Sequence, residues 1–522
     1  MATVREATID LLRRLRMTTI FANPGSTELP LFREFPADFR YVLGLQEAVV
    51  VGMADGFAQA TRNAAFINLH SAAGVGNAMG NIFTAFKNRT PLVVTAGQQA
   101  RAILPYEPFL ASREATELPK PYVKWSLEPA RAEDVPLAIA RAYAIAMTQP
   151  RGPVLVSVPV DDWDRPAEPV APRRVSQRLR PDPDIVEAIG EALDRAQTPA
   201  FVVGGAIDRD EAFEEVVALA ERYGARVFTA PMTGRCAFPE THPQFCGFLP
   251  AMREKIVAAL AGADLVFAVG APAFTYHVEG FGPHVPDGAA LVQLIDDPLT
   301  ASWTPEGIAA IGSLKLGLAD LLARPEPARR AGPPGRSPAP RIAPSSPLTT
   351  AYVMQTLAEA RPADSIVVEE APSARPILQR HLPITFAEGF YTMDSGGLGY
   401  GLPAAVGVAL GKPGRRIVAI IGDGSSLYSI QGLWSAVQLH LPITFIILNN
   451  GGYSALKEFA PAFGFAAQEP VQGTDLPGLD YVALAAGFGC RALRAHTADD
   501  LARGLEDAFA SEGPTLVEVL VP

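Results

Sequence analysis

Short apolar runs alternate along the chain with longer stretches whose apolar positions recur at helical spacing. Strands buried on both faces read as continuous apolar runs, so the alternation predicts parallel sheets covered by helices, an α/β architecture. In residues 1–165 the runs TTIFANP, YVLGLQ, AAFINLH, PLVVTAG and GPVLVSVP are the predicted strands. The opening MATVREATIDLLRRLRM predicts an amphipathic helix with Leu11, Leu12 and Leu15 on one side, and it lacks the apolar core of a signal peptide. The prolines and charges of DRPAEPVAPRRV then suit an exposed linker. A second block, 183–325, carries AFVVGG, ARVFTAP, DLVFAVGA and LVQLID as strands. Residues 326–347 are too rich in proline to pack and mark a second linker. A third block, 348–522, repeats the alternation with SIVVEE, RIVAIIGDG, ITFIILNN and PTLVEVLV. The expectation is three domains, each a mostly parallel sheet flanked by helices.

Composition narrows what such a chain does. A chain of 522 residues exceeds one core, and 48% hydrophobic with 19% charged residues is the balance of a globular protein. The net charge of -11, with no Lys/Arg run, argues against nucleic acid or an anionic membrane as partner. No segment approaches the ~20 apolar residues that span a bilayer, which makes the cytoplasm the default location. Cys236, Cys246 and Cys490 are too few and scattered for a disulfide framework or a thiolate metal site, and read as inert thiols. The Gly204-Gly205 turn lacks the spaced glycines of a dinucleotide fingerprint.

Candidate chemistry concentrates at two strand ends of the third block. GDGSS, 422–426, follows the run RIVAII, and ITFIILNN ends in Asn449 and Asn450. Open parallel sheets place their ligand crevice at the carboxyl ends of strands. Magnesium prefers octahedral oxygen coordination shared between one or two side chains and phosphates, which suits Asp423, the amide oxygen of Asn450 and a carbonyl near Gly452. Gly422, Gly424, Gly451 and Gly452 let backbone approach a diphosphate, and a helix starting after Ser425 favours an anion. An Asp-Gly pair alone is a common turn; its pairing with NN on the next strand end is far more specific.

GDGSS with LNNGGY resembles the cofactor-binding motif of the thiamine diphosphate (ThDP)-dependent decarboxylase and synthase family. That family has a pyrimidine-binding domain, a middle domain and a diphosphate-binding domain, in the order of the three blocks. The resemblance implies ThDP with Mg2+, or Ca2+ in its place, as cofactors. It also implies that Glu47, in GLQEAVVVGMADGFA, is the glutamate that hydrogen-bonds the aminopyrimidine; alone it reads equally as a helix N-terminal carboxylate. Leu398, in DSGGLGYGLP, matches the bulky residue that wedges under the cofactor, with ordinary packing as its other reading. Asn77, Ser373, Gly396 and Tyr453 complete the cofactor-binding set implied by the resemblance. In this family active sites form between chains, which implies a homo-oligomer, a tetramer built from dimers.

Within the family, NPGSTELP, FINLHSAAGVGNAMG, VSVPVDDWD and GAPAFTYH are most similar to the benzoylformate decarboxylases. This implies non-oxidative decarboxylation of an aromatic 2-oxo acid, benzoylformate to benzaldehyde and CO2, with carboligation as a side activity. Ser26 would bond the substrate carboxylate, His70 would protonate the developing alkoxide and His277 would serve later proton transfers. Phe109, Leu110, Ala455, Leu456 and Phe459 are candidates for an apolar pocket, core packing being the alternative for each. Departures from the relatives at Pro372 and at Thr392, Met393, Asp394 and Ser395 bear on the shape of that pocket, and Glu117 stands where a peripheral cation site would have an amide. The rival readings are a decarboxylase or carboligase for another 2-oxo acid, and a non-catalytic ThDP-binding protein.

Overall fold

Thr3 and Glu6 cap the first helix, α1 (Val4–Arg14), reciprocally: the Thr3 hydroxyl accepts from the Glu6 N–H and the Glu6 carboxylate accepts from the Thr3 N–H. Leu11, Leu12 and Leu15 are buried, as the helical spacing predicts. The computed structural model describes residues 2–304, 306–328, 330–466 and 469–522. The described chain divides into two compact units. One holds the chain up to Val175 with Ile342–Leu378 and Ser395–Pro522; the other holds Ser176–Arg341 and Gln379–Asp394. The first predicted block and most of the third thus share the larger unit, while Gln379–Asp394 of the third belongs to the other.

The first sheet of the larger unit comprises β1 (Thr19–Asn23), β2 (Arg40–Leu43), β3 (Ala65–Leu69), β4 (Leu92–Gln98), β5 (Ser126–Leu127) and β6 (Val154–Pro159). Its order is β2-β1-β3-β4-β6-β5 and every pair is parallel. The helix α2 (Glu47–Thr61) starts just beyond β2, and α3 (Ser71–Lys87) just beyond β3. Asn23, Leu43 and Leu69 therefore deliver the chain to one sheet edge, the carboxyl edge, where ligands of such folds bind.

In the second unit, β7 (Pro199–Val203), β8 (Arg226–Thr229), β9 (Phe245–Phe248), β10 (Leu265–Val269), β11 (Ala290–Ile295) and β12 (Ile308–Ile311) form a parallel sheet of order β9-β8-β7-β10-β11-β12. Phe201 and Phe267 meet edge to face at its centre, 5.2 Å between centroids. The strands β9 and β12 lie outside the predicted set for local reasons: β9 contains Gly247 at φ 127°, and three of the four β12 residues are exposed. The proline-rich residues 326–347 hold no helix or strand among those described. They are not a free tether, because Arg330 donates to the carbonyls of Leu193 and Asp194 at 3.1 and 2.8 Å.

The larger unit completes its second sheet with β13 (Ile366–Glu370), β14 (Ile417–Gly422), β15 (Ile443–Asn449), β16 (Arg491–Ala495) and β17 (Thr515–Leu520), in the order β13-β14-β15-β17-β16. All these pairs are parallel. The strand β16, RALRA, is not predicted from the sequence because an edge strand with arginines lacks an apolar run; Arg494 is held by Glu518 at 2.7 Å.

Helix α4 (Gly401–Gly411) is buried nearly all round and packs on α2. Glycines permit the approach: a Cβ on Gly407 would lie 1.9 Å from the Met53 carbonyl oxygen, and one on Gly56 would lie 2.2 Å from the Ala404 carbonyl oxygen. The two sheets of the unit are thereby joined backbone to backbone. Among the described residues no helix is long and apolar enough to cross a membrane.

Candidate active site

Glu47 opens α2, where the helix dipole favours a carboxylate. Gln46 caps that helix, its amide oxygen accepting from the N–H groups of Ala48 and Val49 at 2.6 and 3.3 Å. Asn77 of α3 donates to the Glu47 carboxylate at 3.1 Å. Glu47 remains half-buried and Asn77 exposed, so the acid faces outward from the carboxyl edge while held by its neighbours.

One strand along, the loop after β1 wraps the imidazole of His70. The Nδ1 atom of His70 lies 2.9 Å from Glu28, and Glu28 also accepts from the Gly25 N–H at 2.8 Å and the Thr27 hydroxyl at 2.6 Å. Glu28 is 1% exposed, so this carboxylate is buried with both of its oxygens hydrogen-bonded. With Glu28 accepting the Nδ1 proton, the ring is fixed in one tautomer and Nε2 is left for proton exchange. Gly25 is obligatory here, since a Cβ would lie 2.0 Å from Nδ1. Ser26, between these contacts, is exposed.

Glu28 is the functional residue that sequence reasoning missed. NPGSTELP displays an acid next to the candidate Ser26, but nothing in the spacing ties it to a histidine 42 positions later.

In the second sheet of this unit, β14 ends at Gly422 and β15 at Asn449, as the apolar runs predict. The helix expected after Ser425 begins earlier: α5 (Asp423–Ser426) is a single turn starting at Asp423 itself. The Asp423 carboxylate is 3% exposed and accepts from the N–H groups of Gly424 at 2.7 Å and Gly452 at 3.0 Å. The same Gly452 N–H lies 3.2 Å from the Asn450 side-chain oxygen. Burial pushes the Asp423 carboxyl above its ordinary range, opposed by the N–H donors around it. Gly424 is a glycine because a Cβ would strike the Tyr453 ring at 2.4 Å, and Gly451 sits at φ 73°.

Among the described residues no group of three or more His, Cys, Asp or Glu is placed to hold a metal ion. The oxygens here are one carboxylate, one amide and the backbone, a hard donor set that needs phosphate oxygens to complete a coordination sphere. A buried carboxylate pushed up by desolvation, ringed by glycine backbone, fits a diphosphate bridged by a divalent cation.

Leu398 lies half-buried in the turn that leads into α4, with Gly396 before it at φ 72° and Gly399 after it at φ 98°. The Gly399 N–H donates to Glu370 at 2.7 Å, and Gly401 donates to the other oxygen of the same carboxylate. On the opposite side the Asn81 amide donates to the carbonyls of Gly399 and Ala48, at 3.2 and 2.7 Å. Ser373 is half-buried, just past the end of β13.

The predicted pocket residues of this unit are not core. Phe109 is 86% exposed, and Leu456 and Phe459 of α6 (Ser454–Phe459) are 54% and 37% exposed, which removes the packing alternative for them. Leu110 and Ala455 are half-buried and Pro372 is exposed. Thr392 and His277 belong to the second unit. There Thr392 is buried with its N–H on the Gly234 carbonyl, 2.9 Å, while His277 is exposed with its N–H on the Ala251 carbonyl, 2.9 Å.

Comparison with known proteins accounts for the whole chain. Residues 2–117 match the thiamine pyrophosphate enzyme N-terminal TPP binding domain, 186–321 the central domain, and 374–519 the C-terminal TPP binding domain. The chain is 44% identical over 524 residues to a benzoylformate decarboxylase of Pseudomonas aeruginosa, covering 99% of each. Among solved structures it resembles benzoylformate decarboxylase from Polynucleobacter necessarius, at 42% identity and TM-score 0.96, with 100% of this chain and 99% of that one covered. A ThDP-dependent 4-hydroxybenzoylformate decarboxylase of Rhodococcus jostii matches at 40% identity and TM-score 0.95, again over 100% and 99%. The chain belongs to the thiamine pyrophosphate enzyme family and is a homologue of the benzoylformate decarboxylases.

Proposed function

We propose that the protein decarboxylates benzoylformate to benzaldehyde and CO2, with ThDP held through a divalent cation, Mg2+ or Ca2+. The observation that carries this reading is the pairing of buried Glu28 with His70 at the carboxyl edge that also presents Glu47. Simple cofactor binding requires neither a buried carboxylate on an imidazole nor a glycine cleared for that ring.

Asp423, the Asn450 amide oxygen and the Gly452 carbonyl would hold the cation, with Gly422, Gly424, Ser425, Ser373 and Tyr453 around the diphosphate. Bound ThDP supplies the nucleophilic carbon and the electron sink that loss of CO2 from a 2-oxo acid requires. Glu47 would hold the proton at the aminopyrimidine ring, steadied by Asn77 at 3.1 Å. His70, its Nδ1–H accepted by Glu28, would in its imidazolium form give the Nε2 proton to the substrate oxygen as charge develops there, leaving the neutral ring with its proton on Nδ1. Ser26 would bond the substrate carboxylate, and His277 would serve the later proton transfer. The exposed Phe109, Leu456 and Phe459 would enclose an aryl group once covered, and their exposure supports a homo-oligomer; the working form would be a tetramer built from dimers.

The test is aldehyde release by purified protein from benzoylformate, phenylpyruvate and pyruvate, with and without ThDP and Mg2+. Cofactor-dependent benzaldehyde formation well above the other products is the expected result. Turnover of another acid alone would keep the cofactor chemistry and move the error to the residues assigned to the substrate pocket.

A further inference from the structure

The side chain of Leu398 has no polar atom, so its position is set by its backbone. The turn that carries it is tied from two directions. The N–H of Gly399 and that of Gly401 donate to the two oxygens of Glu370, the first at 2.7 Å, and the N–H of Tyr400 also faces this carboxylate. The carbonyl of Gly399 takes the Asn81 amide at 3.2 Å. The residue that follows Leu398 is therefore gripped at both its N–H and its C=O.

Glu370 is the last residue of β13 and 1% exposed. Burying a carboxylate costs more than burying an amide unless several donors converge on it, and here consecutive backbone N–H groups do. An amide side chain offers one acceptor oxygen where this turn presents donors to two. The fit is tight as well: a Cβ on Gly401 would lie 2.7 Å from the Glu370 Cβ.

We propose that Glu370 is a positioning residue that fixes the height of Leu398 against the bound cofactor, through the N–H groups of Gly399 and Gly401. This rests on the reading of Leu398 as the wedge under ThDP. The side-chain hydrogen bonds of Glu370 go to the N–H groups of Gly399 and Gly401, so its substitution should leave affinity in place and disturb only the cofactor's conformation.

The test uses full-length protein reconstituted with ThDP and Mg2+, without substrate. ThDP affinity is measured by fluorescence quenching, and the exchange of the cofactor's C2 proton for deuterium by acid quench and NMR. Glu370→Gln is expected to bind ThDP within about threefold of the parent, while C2 exchange slows by roughly tenfold or more. Leu398→Ala is run beside it and is expected to slow exchange likewise. Parental exchange in Glu370→Gln with slow exchange in Leu398→Ala overturns this inference and leaves the wedge reading standing. Parental exchange in Leu398→Ala removes the wedge reading and the inference with it. If Glu370→Gln fails to fold, Glu370→Asp, which keeps both oxygens but withdraws them by one methylene, takes its place: slowed exchange with ThDP affinity kept supports the inference, and parental exchange overturns it.

Discussion

The carboxylate of Glu28 lies 2.9 Å from Nδ1 of the partly buried His70, beside a loop in which Gly25 has no room for a side chain. Replacing the carboxylate by an amide removes the charge and one of the two acceptor oxygens, which loosens the hold on the ring and on its Nδ1–H tautomer. Glu28→Gln is expected to lower kcat on benzoylformate by about 10- to 100-fold, the usual range for partners that orient a functional histidine. ThDP affinity should not change. Steady-state kinetics beside a cofactor titration checks both halves.

Gly25→Ala places a methyl group where the imidazole now sits, 2.0 Å from its nitrogen. The ring must leave its seat, and a 1 Å misplacement costs about 100-fold when it disturbs a reacting group. The expected result is a kcat reduced about as far as in His70→Ala, with folding intact by far-ultraviolet circular dichroism.

Asp423→Asn removes the charge that a divalent cation needs while keeping oxygen and shape. ThDP binding in the presence of Mg2+ should weaken by at least about tenfold, since a buried hydrogen-bonded charge contributes more than ~1.4 kcal/mol. The parent stripped with a chelator should lose activity and regain it with Mg2+ plus ThDP; retention of activity after exhaustive stripping would refute the metal assignment.

Glu370 predicts a pH dependence of stability. Burial raises its carboxyl from an ordinary 4.5 to about 7, outweighing the N–H donors, with neighbouring Glu369 adding to the shift. The folded chain therefore holds this proton more tightly than the unfolded chain does. Its contribution is fully present below pH 4.5 and is lost as the pH rises through 7. Urea midpoints of the parent should fall over that interval by more than those of Glu370→Gln.

The seam between α2 and α4 gives a stability prediction free of catalysis. Gly407→Ala would set a Cβ 1.9 Å from the Met53 carbonyl oxygen, which backbone cannot yield. A loss of about 3 kcal/mol is expected, at the upper end for overpacking, read from urea unfolding. Gly76→Ala on α3, where nothing lies within 4 Å, should be neutral or slightly stabilising.

Much of this is legible in the chain itself. Apolar runs such as RIVAII and ITFIILN become strands because central parallel strands are buried on both faces, and the polar residues after them fall at the carboxyl edge without further information. Strands at sheet edges, such as Arg491–Ala495, carry no such run and escape notice. Glu28 and Glu370 are hidden for another reason: each acts on groups far along the chain, His70 and Gly399, and separation in sequence conceals a pairing that only the fold creates. Glu47 and Asp423 are visible because each stands beside its own strand end.

The glycine seam has a bearing on how this protein can be changed. Positions 56 and 407 are places where the chain has no alternative residue to offer, so a library that randomises them spends its members on misfolded protein. The solvent-facing Phe109, Leu456 and Phe459, by contrast, carry little of the fold. On the proposed pocket, directed evolution of substrate scope belongs at those three positions, while the seam that joins the two sheets is best left out of every design.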